Sequence, residues 1–246
     1  MKKMKLNLII NGVLLLTCAL LLVVTTVAYF SDTQQMTNTL TVGNVSISLS
    51  EAAVKNENGN LVEDTSKPRV FGSADGAVHD YGKVYPAMTI HKDPTVVNTG
   101  SEDAWLAVRM TVSADGNLAA LMGYGDVQGI DIREMLSGAM FDETVHIGRW
   151  ENFENVYYTD TYAMLQVPNP SEGTYTFYIF IRNVFKPGDT ITLFDTLGFS
   201  PEWSGAQMRN LVGFKMHIEA FAVQNFELAD CYQAMTEAFP TYFHFE

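Results

Sequence analysis

The side chains that could perform metal-assisted hydrolysis are few in this sequence and widely spaced. Its five histidines are never three or four residues apart: His79, His91, His146, His217 and His244. A zinc hydrolase needs two or three closely placed ligands and a general base. His217 and Glu219 share one face of a predicted strand and could place two ligands together, but residues in this pattern more often face solvent. We therefore predict no catalytic, cofactor-binding or metal-binding residue and no enzyme activity.

Nucleophilic catalysis also lacks its usual motifs. The Gly-x-Ser-x-Gly elbow is absent, and the nearest stretch, residues 198–201, carries Pro201 where the turn would form. Cys18 lies in the amino-terminal segment, so Cys231 is the one thiol in the rest of the chain and no disulfide is expected there. Because Cys231 stands beside Tyr232 on a predicted helix, we interpret it as a buried structural cysteine.

The charge balance argues against nucleic acid as a partner. The 246 residues contain 15 Lys and Arg against 28 Asp and Glu. Three of the cations, Lys2, Lys3 and Lys5, lie in the first 28 residues, which contain no acid, so the rest carries 15 − 3 = 12 cations against 28 acids, a net charge of −16. Such a field repels phosphate backbones. The acidic clusters at 63–64, 75/80 and 102–103 lack a twelve-residue calcium loop, so we interpret them as solvated loops.

The amino terminus has the organisation of a secretion signal. A basic start is followed by an apolar run from Val13 to Val24, and small residues stand at Thr26 and Ala28. We predict a signal peptide over residues 1–28, cut between Ala28 and Tyr29. The alternative is an uncleaved membrane anchor over residues 6–28, since about 20 apolar residues cross a bilayer.

Short β-strands separated by turn signals dominate residues 29–246, which we interpret as one exported domain. Val45, Ile47 and Leu49 alternate with serines, which is the period of a half-buried strand. Strands are predicted over residues 42–49, 105–112, 147–150, 157–158, 174–181, 191–194 and 214–224. Many short strands of this kind predict an all-β sandwich.

Helices and insertions interrupt this β pattern. Apolar spacing predicts a short helix over residues 132–139, and Ser204 with Gln207 forms a capping box for a helix that ends near Gly213. An amphipathic helix is predicted over residues 228–239. Residues 51–80, rich in Asn, Gly and Asp, are predicted to be a long loop or insertion, and residues 115–145 a second insertion.

Two stretches resemble a known family. The junction Val27-Ala28-Tyr29-Phe30-Ser31-Asp32 resembles the processing site of TasA and camelysin-like exported proteins of Gram-positive bacteria, whose leaders are cut by a SipW-type signal peptidase. Residues 84–109 resemble the hallmark segment of that family, with Lys-Asp-Pro, Asn-Thr-Gly and Asp-Ala-aromatic motifs. Ala87 departs from the pattern, because relatives usually have Gly after the proline. The resemblance does not cover residues 51–80 or 115–145.

The resemblance implies a jelly-roll-like β-sandwich and a secreted structural protein of the cell surface or biofilm matrix. Its expected partners are a SipW-type signal peptidase and other copies of itself or other matrix proteins, with membrane contact only through the uncleaved leader. The alternatives are a secreted camelysin-like metallopeptidase and a surface binding or adhesion module.

Fibre assembly by donor-strand exchange is the mechanism that the family implies and the chain allows. Residues 29–40 are polar, threonine-rich and without a helix cap, so we predict a flexible amino-terminal segment after cleavage. A sheet edge is a template for a strand from another chain. The freed segment of one subunit would complete the sheet of the next.

Overall fold

The computed structural model describes residues 31–33, 44–72, 84–114, 134–151, 153–169, 172–226, 228 and 230–245. The predicted signal peptide, its cleavage site at Ala28 and Tyr29, and most of the predicted flexible segment 29–40 lie outside these residues. Among the described helices, none has the length and apolar character needed to cross a membrane.

The largest sheet has seven strands and is antiparallel throughout. With strands numbered in chain order, its spatial order is β1 (Ser31–Thr33), β16 (Lys215–Gln224), β8 (Ala104–Ser113), β13 (Thr174–Ile181), β12 (Tyr162–Asn169), β11 (Phe153–Tyr158) and β10 (His146–Trp150). β16 and β8 pair over ten residues each without a register shift, which makes them the longest ladder among the described residues.

Two smaller sheets make up the rest of the β framework. The first consists of β14 (Thr190–Thr192), β7 (Thr95–Asn98), β2 (Ile47–Glu51) and β5 (Val70–Phe71). The second consists of β3 (Val54–Glu57), β4 (Asn60–Glu63), β6 (Thr89–His91), β15 (Thr196–Gly198) and β9 (Leu136–Ser137).

The hydrophobic core lies between the seven-stranded sheet and the two smaller ones. One buried cluster joins Val108 and Phe177 of the large sheet to Val96, Ile90 and Leu197 of the small sheets. The smaller sheets therefore form the second layer of a sandwich, and the predicted all-β sandwich is confirmed.

A second buried cluster covers the outer face of the seven-stranded sheet. Trp105 and Ala107 alternate with the core residues of β8 and pack with Phe180, Phe221 and the carboxy-terminal helix. This face is covered by α2 (Cys231–Ala238), which begins at the N-cap residue Asp230. The helix predicted over residues 228–239 is confirmed with this shorter extent.

The predicted capping box is also confirmed. The Ser204 hydroxyl accepts a hydrogen bond from the Gln207 backbone amide at 3.3 Å, and the Gln207 side chain accepts one from the Ser204 amide at 2.9 Å. This reciprocal pair opens α1 (Gly205–Asn210), and Gly213 follows in the left-handed region with φ of +67°.

The prediction of a loop over residues 51–80 is wrong for residues 51–72. They contain the β3–β4 hairpin and β5, and the hairpin turns at Asn58 and Gly59, whose φ angles are +55° and +90°. Asn-Gly is the preferred pair for such a two-residue turn. The side chains of β3 are mostly exposed, so main-chain pairing holds this hairpin and apolar alternation does not reveal it.

The prediction of a helix over residues 132–139 is wrong for residues 136–139. Leu136 and Ser137 form β9 and pair with β15, while Gly138 and Ala139 have positive φ angles of +84° and +48°, which a right-handed helix excludes. Only a short 3₁₀ helix follows, over Ala139–Asp142.

Two strand predictions in the second half also differ from the structure. β14 ends at Thr192, and the amide of Leu193 donates instead to the Pro94 carbonyl at 3.0 Å. β12, which lies inside the large sheet between β13 and β11, was not predicted from the sequence.

Candidate functional site

The predicted assembly mechanism requires a strand edge that can accept a strand from another chain. The outer edge of β16 is the candidate for this role. On one side of this strand Ala220 and Ala222 are buried in the core of the sandwich, with Met216 and Ile218 partly buried against it. On the other side Phe221 and Val223 are buried under α2. Both faces of β16 are thus covered over residues 219–223, whereas Lys215 and His217 are exposed, and the strand presents its remaining main-chain edge away from β8.

Part of this edge is occupied by the residues that follow the predicted cleavage site. The backbone of β1 pairs antiparallel with β16, with Ser31 opposite Val223, Asp32 opposite Ala222 and Thr33 opposite Phe221. Continued along the chain, this register places residues 34–39 opposite Ala220–Lys215, and those residues lie outside the described part of the chain. The main-chain edge of an outer strand is a template for a further strand.

The opposite edge of the same sheet is formed differently. The register between β10 and β11 shifts between Gly148 and Trp150, and Glu151 follows in the left-handed region with φ of +51°. The side chain of Arg149 is exposed on this strand. A bulge and an exposed charge are features that prevent edge-to-edge pairing. The β16 edge is therefore the better acceptor of the two.

A charged cluster lies on β16 just before the three residues that pair with β1. Glu219 is held by two guanidinium nitrogens of Arg109, with Nε at 2.7 Å and Nη2 at 2.5 Å from Oε2. His217 Nε2 lies 3.7 Å from the same oxygen. The Arg109 guanidinium also lies 4.8 Å from the centre of the Tyr242 ring, so it links the strand to the carboxy-terminal segment.

These contacts correct the expectation that both His217 and Glu219 face solvent. The side chain of His217 is 56% exposed, but that of Glu219 is only 9% exposed. A buried carboxylate needs a partner, and Arg109, on the neighbouring strand, provides it. Strand alternation puts Arg109 on the same face of β8 as Ala107, but it gives no sign that Arg109 lies opposite Glu219, since that depends on the β8–β16 register.

The pKa shifts in the cluster follow from these contacts. The neighbouring Glu219 carboxylate raises the pKa of His217 above its ordinary value, against a smaller opposing effect of burial. Burial works against ionisation of Glu219, but its contacts with His217 and Arg109 outweigh burial and lower the pKa of that carboxyl. Glu219 is thus committed to ion pairing and is poorly suited to act as a general base near neutral pH.

The Lys-Asp-Pro motif of residues 92–94 has a structural role. Lys92 Nζ lies 2.6 Å from Glu51 Oε1, and both side chains are largely buried. Asp93 accepts a hydrogen bond from the Ala52 amide at 2.6 Å and forms an ion pair with Arg69 at 2.6 Å. The motif therefore ties the segment between β6 and β7 to β2 and to the chain just before β5.

The Asn-Thr-Gly motif closes the turn after β7. The side-chain amide of Asn98 donates to the Phe185 carbonyl at 2.9 Å and to the Glu102 carbonyl at 3.0 Å, while its oxygen accepts from the Gly100 amide at 2.9 Å. Asn98 is buried. Gly100 packs so closely on the backbone that an added Cβ would lie 2.1 Å from the Asn44 carbonyl oxygen. Asn98 and Gly100 therefore have a structural role in this turn.

The remaining residues with potential chemistry are dispersed or buried. Over the described parts of the chain, no group of three or more His, Cys, Asp or Glu side chains is placed to hold a metal ion. His79 lies outside those parts. Cys231 is buried, its thiol donates to the Leu106 carbonyl at 3.0 Å, and burial raises its pKa well above the ordinary value. The predicted structural cysteine is confirmed.

Comparison with known proteins adds no assignment to this geometry. No protein-family model, curated protein or solved structure matches the chain. The resemblance of residues 27–32 and 84–109 to TasA and camelysin-like proteins therefore stays a prediction.

Proposed function

We propose that this protein is an exported structural subunit of a bacterial cell surface or biofilm matrix, and that its subunits join by donor-strand exchange. The observation that supports the proposal most strongly is the position of β1. Residues 31–33 lie shortly after the predicted cut between Ala28 and Tyr29, and their backbone completes the edge of the seven-stranded sheet. Three residues of the segment that we expect to be donated therefore pair with the strand that we expect to accept it.

The exchange moves this strand from its own β16 to the β16 of the next subunit. The incoming strand gains main-chain hydrogen bonds worth about 0.5–1.5 kcal/mol each, net. Because the donor segment and the acceptor edge are different surfaces, the contact is head-to-tail and generates an open filament.

Export sets the time of assembly under this proposal. Before cleavage the donor segment is tethered to the hydrophobic leader, and a SipW-type signal peptidase frees it outside the membrane. Sequencing the amino terminus of secreted protein tests this step, with Tyr29 expected as the first residue. A start more than two residues away, or protein that remains wholly in the membrane, contradicts the proposed processing.

Sedimentation of two forms of the protein tests the assembly itself. The chain 29–246 should form assemblies that grow with concentration over the micromolar range and appear as filaments by electron microscopy. The chain 41–246 should stay folded, as judged by circular dichroism, and monomeric, because every described member of the core clusters lies after residue 44. If both are equally monomeric, donor-strand assembly is wrong and a binding or accessory role is favoured.

A further inference from the structure

The tip of the β3–β4 hairpin exposes an Asn-Gly pair to solvent. Asn58 and Gly59 are both exposed, and their φ angles are +55° and +90°. A Cβ added to Gly59 would have no atom within 4 Å apart from the adjacent residues, so no other part of the protein crowds this peptide group. The side-chain amide of Asn58 and the main-chain nitrogen of Gly59 are therefore open to water.

We infer that Asn58 is a site of spontaneous chemical modification in the folded protein, where its side-chain amide is converted into a carboxyl group. The Gly59 nitrogen loses its proton to solvent hydroxide and attacks Asn58 Cγ. A C–N bond forms, and ammonia leaves after taking a proton from water. A water molecule then opens the resulting succinimide ring. Opening at Cγ gives aspartate, whereas opening at the main-chain carbonyl gives isoaspartate, in which the chain continues through Cβ of residue 58.

The glycine that follows Asn58 is what makes this attack possible. Because Gly59 has no Cβ, its own residue does not hinder the nitrogen during ring closure. Asn56 and Asn60, the other asparagines of the hairpin, are each followed by a residue with a long or branched side chain. We therefore expect Asn58 to react while the other two asparagines stay intact.

The base of the hairpin is anchored more firmly than its tip. The Asp64 amide donates to the Ala53 carbonyl at 2.7 Å, and both residues are buried. Nearer the tip, the Lys55–Glu57 ion pair has side chains that are 46% and 53% exposed, so it adds little stability. Exposed main-chain pairing of this kind opens locally without global unfolding. The tip can therefore open in a protein that is otherwise folded.

The side chain of Asn56 restrains the reacting nitrogen in the closed turn. The Gly59 amide donates to Asn56 Oδ1 at 3.3 Å, which is longer than the usual range of about 2.7–3.2 Å for such a bond. Because this N–H must lose its proton, the nitrogen has to leave Asn56 before it can attack Asn58. The hydrogen bond is long and exposed, so it slows the reaction without preventing it.

The two products affect the hairpin differently. Aspartate tolerates the left-handed conformation of the turn, so it keeps the hairpin and adds a negative charge. Isoaspartate adds a backbone atom to the two-residue loop, whose length sets the register of the strands. It therefore disturbs the pairing of Glu57 with Asn60, and with it the hydrogen bond that Asn60 Oδ1 accepts from the Thr89 amide of β6 at 2.9 Å. The isoaspartate form loosens the hairpin from β6.

Mass spectrometry of the processed protein 29–246 tests this inference. After incubation of the folded protein in mildly alkaline buffer and proteolysis, residue 58 should show the mass gain of an amide-to-acid conversion. The product should separate by chromatography into two species of equal mass, aspartate and isoaspartate. Conversion of Asn58 should be at least tenfold faster than conversion of Asn56 or Asn60.

Two variants serve as controls for the reacting groups. Asn58→Gly removes the reacting side chain and accepts positive φ, so it should fold as the unsubstituted protein by circular dichroism and keep its mass. Asn56→Ala removes the acceptor of the Gly59 amide and should accelerate the conversion of Asn58 severalfold. Its matched control is Lys55→Ala, on the same strand, which should leave the rate unchanged.

The outcomes that contradict the inference do not depend on filament assembly, so they are separate from a failure of the proposed function. If Asn58 stays intact in the folded protein while a synthetic peptide of residues 54–63 is converted, the tip stays closed and the inference is wrong. If the peptide is not converted either, the chemistry assigned to the pair is wrong. If Asn56→Ala reacts no faster than Lys55→Ala, Asn56 does not restrain the nitrogen, and that step of the inference is wrong.

Discussion

At the scale of single residues, Ala87 shows a backbone conformation that its side chain disfavours. Its φ is +65°, its amide donates to the Phe199 carbonyl at 2.8 Å, and the Met88 amide closes the turn on the Tyr85 carbonyl at 3.1 Å. The turn expected of a glycine is thus formed with alanine. The left-handed region costs an alanine about 1–2 kcal/mol.

Ala87→Gly should therefore stabilise the domain. Part of the gain is lost because glycine gives the unfolded chain more freedom, about 0.4–1 kcal/mol. A net gain of about 1 kcal/mol corresponds to a rise in melting temperature of about 2–4 °C in a domain of this size. Ala206→Gly, at an exposed position of α1, is the matched control and should lower the melting temperature instead. A lower melting temperature for Ala87→Gly contradicts the prediction.

His217 should make stability depend on pH through its contact with Glu219. Because the pKa of His217 is raised in the folded state, its contribution is complete below the ordinary histidine pKa of about 6.5 and disappears as the pH rises through the folded value. The imidazole is half exposed, so we expect less than about 1 kcal/mol. The urea midpoints of wild type and His217→Gln should differ at pH 5.5 and converge at pH 9.

Replacement of a different histidine provides the control for this pH effect. His146 packs on the Tyr158 ring at 5.6 Å, on another strand of the same sheet. His146→Gln should leave the difference between pH 5.5 and pH 9 as in wild type. An equal change in both variants would mean that the Glu219 contact is not the cause.

At the scale of elements, the buried pair Lys92–Glu51 ties β2 to the segment after β6. Lys92 is 5% exposed and Glu51 15% exposed in their side chains. Removing one member of a buried ion pair leaves the other charge uncompensated, at about 3–5 kcal/mol, whereas replacing both by apolar residues is often neutral. Lys92→Met should be strongly destabilising, and Lys92→Met/Glu51→Met should recover most of the loss.

Denaturant unfolding of the two single variants and the double variant measures this coupling. Lys55→Met breaks a comparable pair, Lys55–Glu57, whose side chains are 46% and 53% exposed, and should leave stability unchanged. If Lys92→Met is as mild as Lys55→Met, the buried pair does not hold β2 in place.

The strands that could be predicted from the sequence are those with one or both faces buried in the molecule. β8, β13 and β16 alternate apolar residues that are buried on one or both sides, and their pattern is strong. The β3–β4 hairpin was missed because it holds by main-chain pairing at the surface. β12 was missed because Ala163, Met164 and Gln166 have little β preference, and burial between neighbouring strands overrides it.

The candidate site was predictable only in part. The composition of residues 29–40 indicated an extended segment, but its pairing partner depends on which strand ends the sheet. Its partner is β16, which is the outermost strand apart from β1, and this position follows from the strand order of the whole sheet. The Arg109–Glu219 pair depends on the same long-range register, with 110 residues between the two side chains.

At the scale of the whole molecule, charge opposes the assembly that the sheet edge favours. The chain after residue 28 carries a net charge of −16, from 12 cations and 28 acids. Subunits in a filament bring these charges together, whereas main-chain pairing at β16 is neutral and specific. Repulsion between subunits therefore opposes the proposed assembly in dilute solution.

Salt should weaken the repulsion between subunits. Charges are screened over about 30 Å at 0.01 M ionic strength and about 8 Å at 0.15 M. Assembly of residues 29–246, followed by light scattering, should therefore accelerate severalfold over this range and change little above about 0.5 M. Assembly that slows with salt would instead mean that subunits join through attraction between opposite charges, and the neutral ladder along β16 would not be the main contact.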